Sequence, residues 1–186
     1  MKNILCVILI FIPTFLNGQK YIFEPDTSIS GIKLQDPTSL KSMIPNIMTL
    51  IDYQGPGAQA CLLNKDETET VILVFHAGSS ANEVAEIHVY SKPNSPTKCT
   101  KPIKLGIDRF ITENNIKLYI HKKDLIKIKG QPLLIDKING EEILQYIIND
   151  YDKNGFLKRY NYPEYHAFYT FKQDKLVKMD FGFTYP

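Results

Sequence analysis

Residues 164–186 read E-Y-H-A-F-Y-T-F-K-Q-D-K-L-V-K-M-D-F-G-F-T-Y-P, and the reading of this stretch decides the fold. Apolar and polar side chains alternate through Tyr165–Phe171 and again through Leu176–Phe183, the two-residue period of a half-buried strand. A turn centred on Gln173-Asp174 predicts a β-hairpin that sets Thr170 against Val177, Phe168 against Met179 and His166 against Phe181. In that register Phe168, Val177, Met179, Phe181 and Phe183 form a core face, and Lys178 and Asp180 point the other way. Tyr165, Tyr169 and Phe171 then line the wetter face beside Leu176. Two readings of that aromatic row are open: a binding surface, because tyrosine joins apolar area to a hydroxyl, or a face covered by a helix or loop.

The segment Ile116–Pro132 reads as a short helical stretch, with Leu125, Ile126 and Ile128 apolar and Gly130 then Pro132 stopping it. Leu133–Ile138 and Ile143–Ile148 read as strands joined at Asn139-Gly140, a strong hairpin signal. An earlier part of the chain repeats the theme. Ile32-Lys33-Leu34 is a short strand, Asp36 or Thr38 is a helix cap, Leu40, Met43 and Ile44 have helical spacing, and Pro45 ends the run. A second hairpin, Thr70–Phe75 against Ala85–Tyr90, pairs residues whose numbers sum to about 160, so that Leu73 faces Ile87 and Phe75 faces Ala85. Ala60–Leu63 is expected beside it. The fold class is therefore α+β: two related units, residues 19–95 and 104–186, each a short helical segment packed on an antiparallel β-meander. Ser91–Ile103, rich in proline and hydroxyl groups, is the boundary.

Met1–Gly18 carries an early lysine, then an apolar run, then Asn17-Gly18, the layout of a secretory signal peptide. Export to the periplasm or the medium is the expectation, with an uncleaved anchor as the alternative. Without Lys2 the chain holds 21 basic and 20 acidic side chains, a balance that gives no general pull towards nucleic acid. Lys122, Lys123, Lys127 and Lys129 are read as a solvated helix face. Cys61 and Cys99 also sum to 160, which places them across the open end of the first hairpin, and a disulfide is expected there. In the chain-entropy picture such a link stabilises by about 3–4 kcal/mol.

The pattern of short strand, helix ending in Gly-x-Pro and antiparallel meander resembles the β-lactamase-inhibitor-protein-like fold and the small lipoproteins of outer-membrane assembly. Ile116-Lys117-Leu118, Leu125, Ile126 and Gly130-Gln131-Pro132 carry the likeness; Ile32-Lys33-Leu34, Leu40, Met43, Ile44 and Pro45 are its weaker echo, without the glycine. The whole chain is also similar to exported proteins of Bacteroidetes-type bacteria. The resemblance implies protein binding or scaffolding at the cell envelope and transfers no functional residue.

Catalytic patterns are not read in the sequence. His76, His88, His121 and His166 have no zinc-ligand spacing, and Ser79 and Ser80 in the loop Gly78–Asn82 sit in no nucleophile-elbow or Walker context. Asp150-Tyr151-Asp152-Lys153-Asn154-Gly155 matches the opening of a calcium loop, but its twelfth position is Asn161, and Asn154-Gly155 is also a plain turn signal. Glu141-Glu142 is read as solvated. The expectation is a non-enzymatic binding module, without cofactor or metal, that uses the sheet faces (Tyr165, Tyr169, Phe171) or the Gly78–Asn82 tip. The alternatives are a small secreted hydrolase with a site assembled in space and a calcium-dependent structural module.

Overall fold

A computed structural model describes residues 23–47, 51, 58–76, 83–95 and 101–184. The expected leader Met1–Gly18, the tip Gly78–Asn82 and Cys99 lie outside them. Among the described residues there are ten strands: β1 (Ser28–Ile29), β2 (Ile32–Lys33), β3 (Gln59–Leu63), β4 (Glu69–Phe75), β5 (Val84–Ser91), β6 (Ile103–Lys104), β7 (Leu134–Ile138), β8 (Glu141–Ile148), β9 (Glu164–Lys172) and β10 (Lys175–Thr184). Three short helices accompany them: α1 (Pro37–Met43), α2 (Lys122–Lys129) and α3 (Gly155–Tyr160). The protein is thus mixed α and β, with little helix and a mostly antiparallel sheet of eight strands in the order β6-β3-β4-β5-β10-β9-β8-β7. Only the β3–β6 contact in that sheet is parallel.

Local chemistry accounts for the helix ends. The Asp36 carboxylate accepts from the backbone N–H groups of Thr38 (3.0 Å) and Ser39 (3.2 Å), and Pro37 follows at the first helical position. Gly130 ends α2 with φ of 80°, a conformation that glycine adopts without a Cβ penalty. The helix begins only at Lys122; Ile116 and Leu118 are buried in the irregular chain before it.

The first hairpin has the expected register, with Thr70 on Tyr90, Val71 on Val89 and Leu73 on Ile87. A bulge between Val74 and Phe75 then sets Phe75 on Val84, not on Ala85. Asn139-Gly140 makes the β7–β8 turn with positive φ at both residues, as the right-handed strand twist requires. Gln173-Asp174 does the same between β9 and β10.

One expectation is corrected here. Beyond Leu176–Phe171 the final hairpin shifts register by one residue, a bulge at Val177, so Met179 faces Tyr169, Phe181 faces Ala167 and Phe183 faces Tyr165. A one-residue slip moves side chains to the opposite face. Tyr165, Tyr169 and Phe171 therefore share the core face with Met179, Phe181 and Phe183, and all six are buried. The hairpin then joins the first half of the chain through β5, with Met179 on Val89 and Phe181 on Ile87. Both halves feed one hydrophobic core on this side of the sheet.

Candidate functional site

Of the two readings of Tyr165, Tyr169 and Phe171, the covered one fits: their relative exposures are 0%, 0% and 2%. The segment Phe23–Asp26 lies against Tyr165 and Tyr169. Phe23 meets Tyr146 edge-on at 5.2 Å between ring centres, and Tyr146 meets Tyr169 at 5.7 Å. The Tyr165 hydroxyl donates to the Asp26 carbonyl at 2.7 Å and accepts from the Asp26 N–H at 2.9 Å. The Tyr169 hydroxyl donates to Asp26 Oδ2, and Asn114 Nδ2 donates to Asp26 Oδ1 at 2.9 Å.

Asp26 has a counter-ion. Lys129 Nζ lies 2.9 Å from Asp26 Oδ1, with the two side chains 1% and 0% exposed, and it also donates to the Glu24 carbonyl. Lys129 was expected on a solvated helix face; instead it stands four residues after buried Leu125, on the same inward stripe of α2. A lysine on a core stripe is the one sequence signal for this pair, and the Phe23-Glu24-Pro25-Asp26 stretch that answers it has no periodicity of its own. Burial pulls the Lys129 ammonium below its ordinary pKa, against the charge and hydrogen bond of Asp26.

The opposite face of the central strands carries the charged groups. Glu86, His88 and Tyr90 come from β5, Lys178 and Asp180 from β10, and His166 and Phe168 from β9. His88 Nε2 lies 2.9 Å from Glu86 Oε2, and its Nδ1 lies 3.1 Å from Asp180 Oδ1 and 3.3 Å from the Tyr90 hydroxyl. Lys178 Nζ bonds Asp180 Oδ2 at 2.7 Å and sits 5.3 Å above the Tyr90 ring. Gly182 lies opposite Glu86, where a Cβ would meet the Ala85 carbonyl at 2.4 Å and Glu86 Cα at 2.6 Å. The close approach of the two strands beside the cluster requires that glycine.

Burial alone would lower the His88 pKa, but the hydrogen bonds and charges of Asp180 and Glu86 outweigh it and raise it to about 9. The imidazole is thus charged at neutral pH and held by two acids, which disqualifies it as a general base there. Neighbouring His166, lowered by burial and stacked on Phe168 at 5.0 Å, is the neutral histidine of the face.

The His88 cluster predicts a pH dependence. A folded-state pKa above the unfolded one gives stability that is complete below the unfolded value near 6.5 and lost as pH rises through the folded value near 9. The unfolding free energy from denaturant titration should fall between pH 7 and pH 10 by an amount on the order of 1–2 kcal/mol, discounted for partial exposure. His88→Gln should flatten that slope. An equal slope in both chains would assign the effect to other groups.

Among the described residues, no group of three or more histidine, cysteine or acidic side chains is arranged to hold a metal ion. The Asp150–Gly155 run turns, with Lys153 N–H on the Asp150 carbonyl at 3.3 Å, and enters α3 directly. Asn154 caps that helix, accepting from Phe156 N–H at 2.9 Å, and Asn161 is its left-handed C-cap. The fifth position of a twelve-residue calcium loop, Asn154, is thus spent on a helix cap, and the positions after it lie in the helix and its C-cap. Glu142 pairs with Lys122 and Lys137.

Two open features remain. A polar cleft of about 530 Å³ is lined by Gln35, Glu83, Arg159, Tyr160, Asn161 and Tyr162. Tyr162 is stacked on Phe183 at 4.8 Å and on His76 at 5.1 Å, and among the described residues Glu83 is the one carboxylate of the lining. The second feature is β7, which ends the sheet. Leu133, Leu134, Ile135 and Ile138 are 55%, 50%, 46% and 53% exposed, and Ile128 of α2 adds 43%. No family model, no curated protein and no solved structure matches the chain.

Proposed function

We propose an exported, non-enzymatic protein-binding or scaffolding module of the cell envelope that takes up an extended segment of a partner protein along β7. The apolar, half-exposed edge strand carries this reading. An unpaired edge presents a row of backbone donors and acceptors, and natural sheets normally blunt it with charge, proline or cover. Here Leu133, Leu134, Ile135 and Ile138 stand half-exposed on that edge around the charged pair Asp136-Lys137.

Charge argues for a foreign strand over a second copy. The antiparallel self-pairing that uses all of Leu134–Ile138 sets Asp136 against Asp136 of the other copy at the dyad, and like charges directly opposite are unfavourable. The fitting segment has apolar residues opposite Leu134 and Ile138, a basic residue opposite Asp136 and an acidic one opposite Lys137.

The same reading takes Met1–Gly18 as a leader and pairs Cys61 with Cys99. It also takes the halves as related units. In support, each half places a short helix before a meander, and β3-β4-β5 meets β10-β9-β8 last strand to last strand.

A photo-crosslinker at position 134, used in the native envelope, should trap a partner, and the purified pair should protect backbone amides 133–138 from hydrogen exchange. Leu134→Lys with Ile138→Lys should weaken that binding at least tenfold with an unchanged melting temperature. Crosslinks only between copies of this chain, or a partner that leaves those amides unprotected, would overturn the proposal.

A further inference from the structure

The Asp26–Lys129 pair leads beyond binding. Its side chains are essentially without solvent contact, 0% and 1% exposed, and the amine and the carboxyl group are in direct contact, with Nζ 2.9 Å from Oδ1. The groups hydrogen-bonded to the two side chains are neutral: the Tyr169 hydroxyl on Oδ2, Asn114 Nδ2 on Oδ1 and the Glu24 carbonyl on Nζ. The carboxylates of Glu113 and Glu24 act on Nζ through their charge alone. We propose that Lys129 and Asp26 condense to an intramolecular amide, Nζ to Cγ, that ties the Phe23–Asp26 segment to the end of α2.

The arrangement supplies what the reaction requires. Passage of a proton from Nζ to Oδ1 along their 2.9 Å contact leaves a free amine beside a carboxylic acid. The lowered pKa of Lys129 acts in that direction. The Nζ lone pair attacks Cγ while Tyr169 and Asn114 donate to the oxygens on which charge develops. The C–N bond forms and the Cγ–Oδ1 bond breaks. Oδ1 leaves as water, carrying the proton of the acid and one proton of the amine, and no oxidant or other reactant is consumed. Fixed contact in the fold replaces a bimolecular encounter, an advantage equivalent to roughly 10⁵–10⁸ M.

The product fits the site better than the ion pair does. Its N–H keeps the Glu24 carbonyl as acceptor, and its carbonyl oxygen, the former Oδ2, keeps the Tyr169 hydroxyl as donor. Asn114 Nδ2, released from Oδ1, retains the Pro25 carbonyl at 3.3 Å. Two buried charges disappear, and no buried polar group loses its last partner.

Intact mass of the full purified chain, measured denatured and reduced, tests this. The expected result is a mass lower by one water in every molecule, with peptide mapping that finds the residue-26 and residue-129 peptides joined. Lys129→Met should show no loss, and Asp26→Asn should reach the wild-type crosslinked mass by loss of ammonia. A wild-type chain that melts cooperatively yet carries its full mass would overturn the proposal. So would a water loss that survives Lys129→Met. Because the wild-type map alone decides the matter, a variant that fails to fold leaves the proposal testable.

Discussion

A chain carrying Tyr165→Ala, Tyr169→Ala and Phe171→Ala together is expected not to fold, with far-UV circular dichroism and urea titration showing no cooperative transition. The three rings are 0%, 0% and 2% exposed, and they face Phe183, Met179 and Leu176 across the final hairpin. Truncation of one buried aromatic side chain to alanine costs about 3–5 kcal/mol, and a domain holds only about 5–15 kcal/mol in total. Neighbouring cavities couple, so the sum is not simply additive. Even so, two such losses approach the whole stability of the fold. Tyr169→Phe separates ring from hydroxyl: it keeps the packing, removes the donor to Asp26, and is expected to cost about 1–3 kcal/mol, the penalty of a buried acceptor left without its donor. A triple variant that melted like the parent would mean that these rings are not in the core.

The features legible in the sequence are those set by neighbours along the chain. Asp36 caps α1, Gly130 ends α2, Asn139-Gly140 and Gln173-Asp174 turn their hairpins, and residues summing to 160 pair β4 with β5. The β10 pattern was also readable, since Met179, Phe181 and Phe183 are all fully buried. The error lies across the turn. Leu176 and Val177, adjacent and both buried at 0% and 8%, break the alternation at the place where the register shifts. One extra residue there carried the whole of β9 to the other face.

The His88 cluster was hidden for a different reason. Glu86 and His88 are two apart on one strand and so share a face, but Asp180 and Lys178 arrive only through the pairing of β5 with β10, strands some ninety residues apart. Nothing local encodes that contact. The buried pair was hidden likewise: Lys129 betrays itself by its place on the Leu125 stripe, whereas Asp26 lies in a segment without pattern. The β7 edge was readable as a strand but not as an edge, because strand order is a property of the assembled sheet.

The second large effect is expected from Asp26→Ala, a loss of about 3–5 kcal/mol, as when one partner of a buried ion pair is removed. The variant leaves Lys129 with a side chain 1% exposed and no acid beside it, and it takes away the acceptor of Tyr169. Denaturant titration of Asp26→Ala, Lys129→Met and the double variant reads the origin of the loss. If the native link is an ion pair alone, Lys129→Met in the Asp26→Ala background removes the orphaned charge and restores most of the stability, since apolar replacement of a buried pair is close to neutral. If the two side chains are joined by an amide, the double variant instead stays well below wild type. It then lacks a crosslink that closes a loop of roughly one hundred residues, a constraint of about 4–5 kcal/mol on the unfolded chain that no apolar substitution replaces.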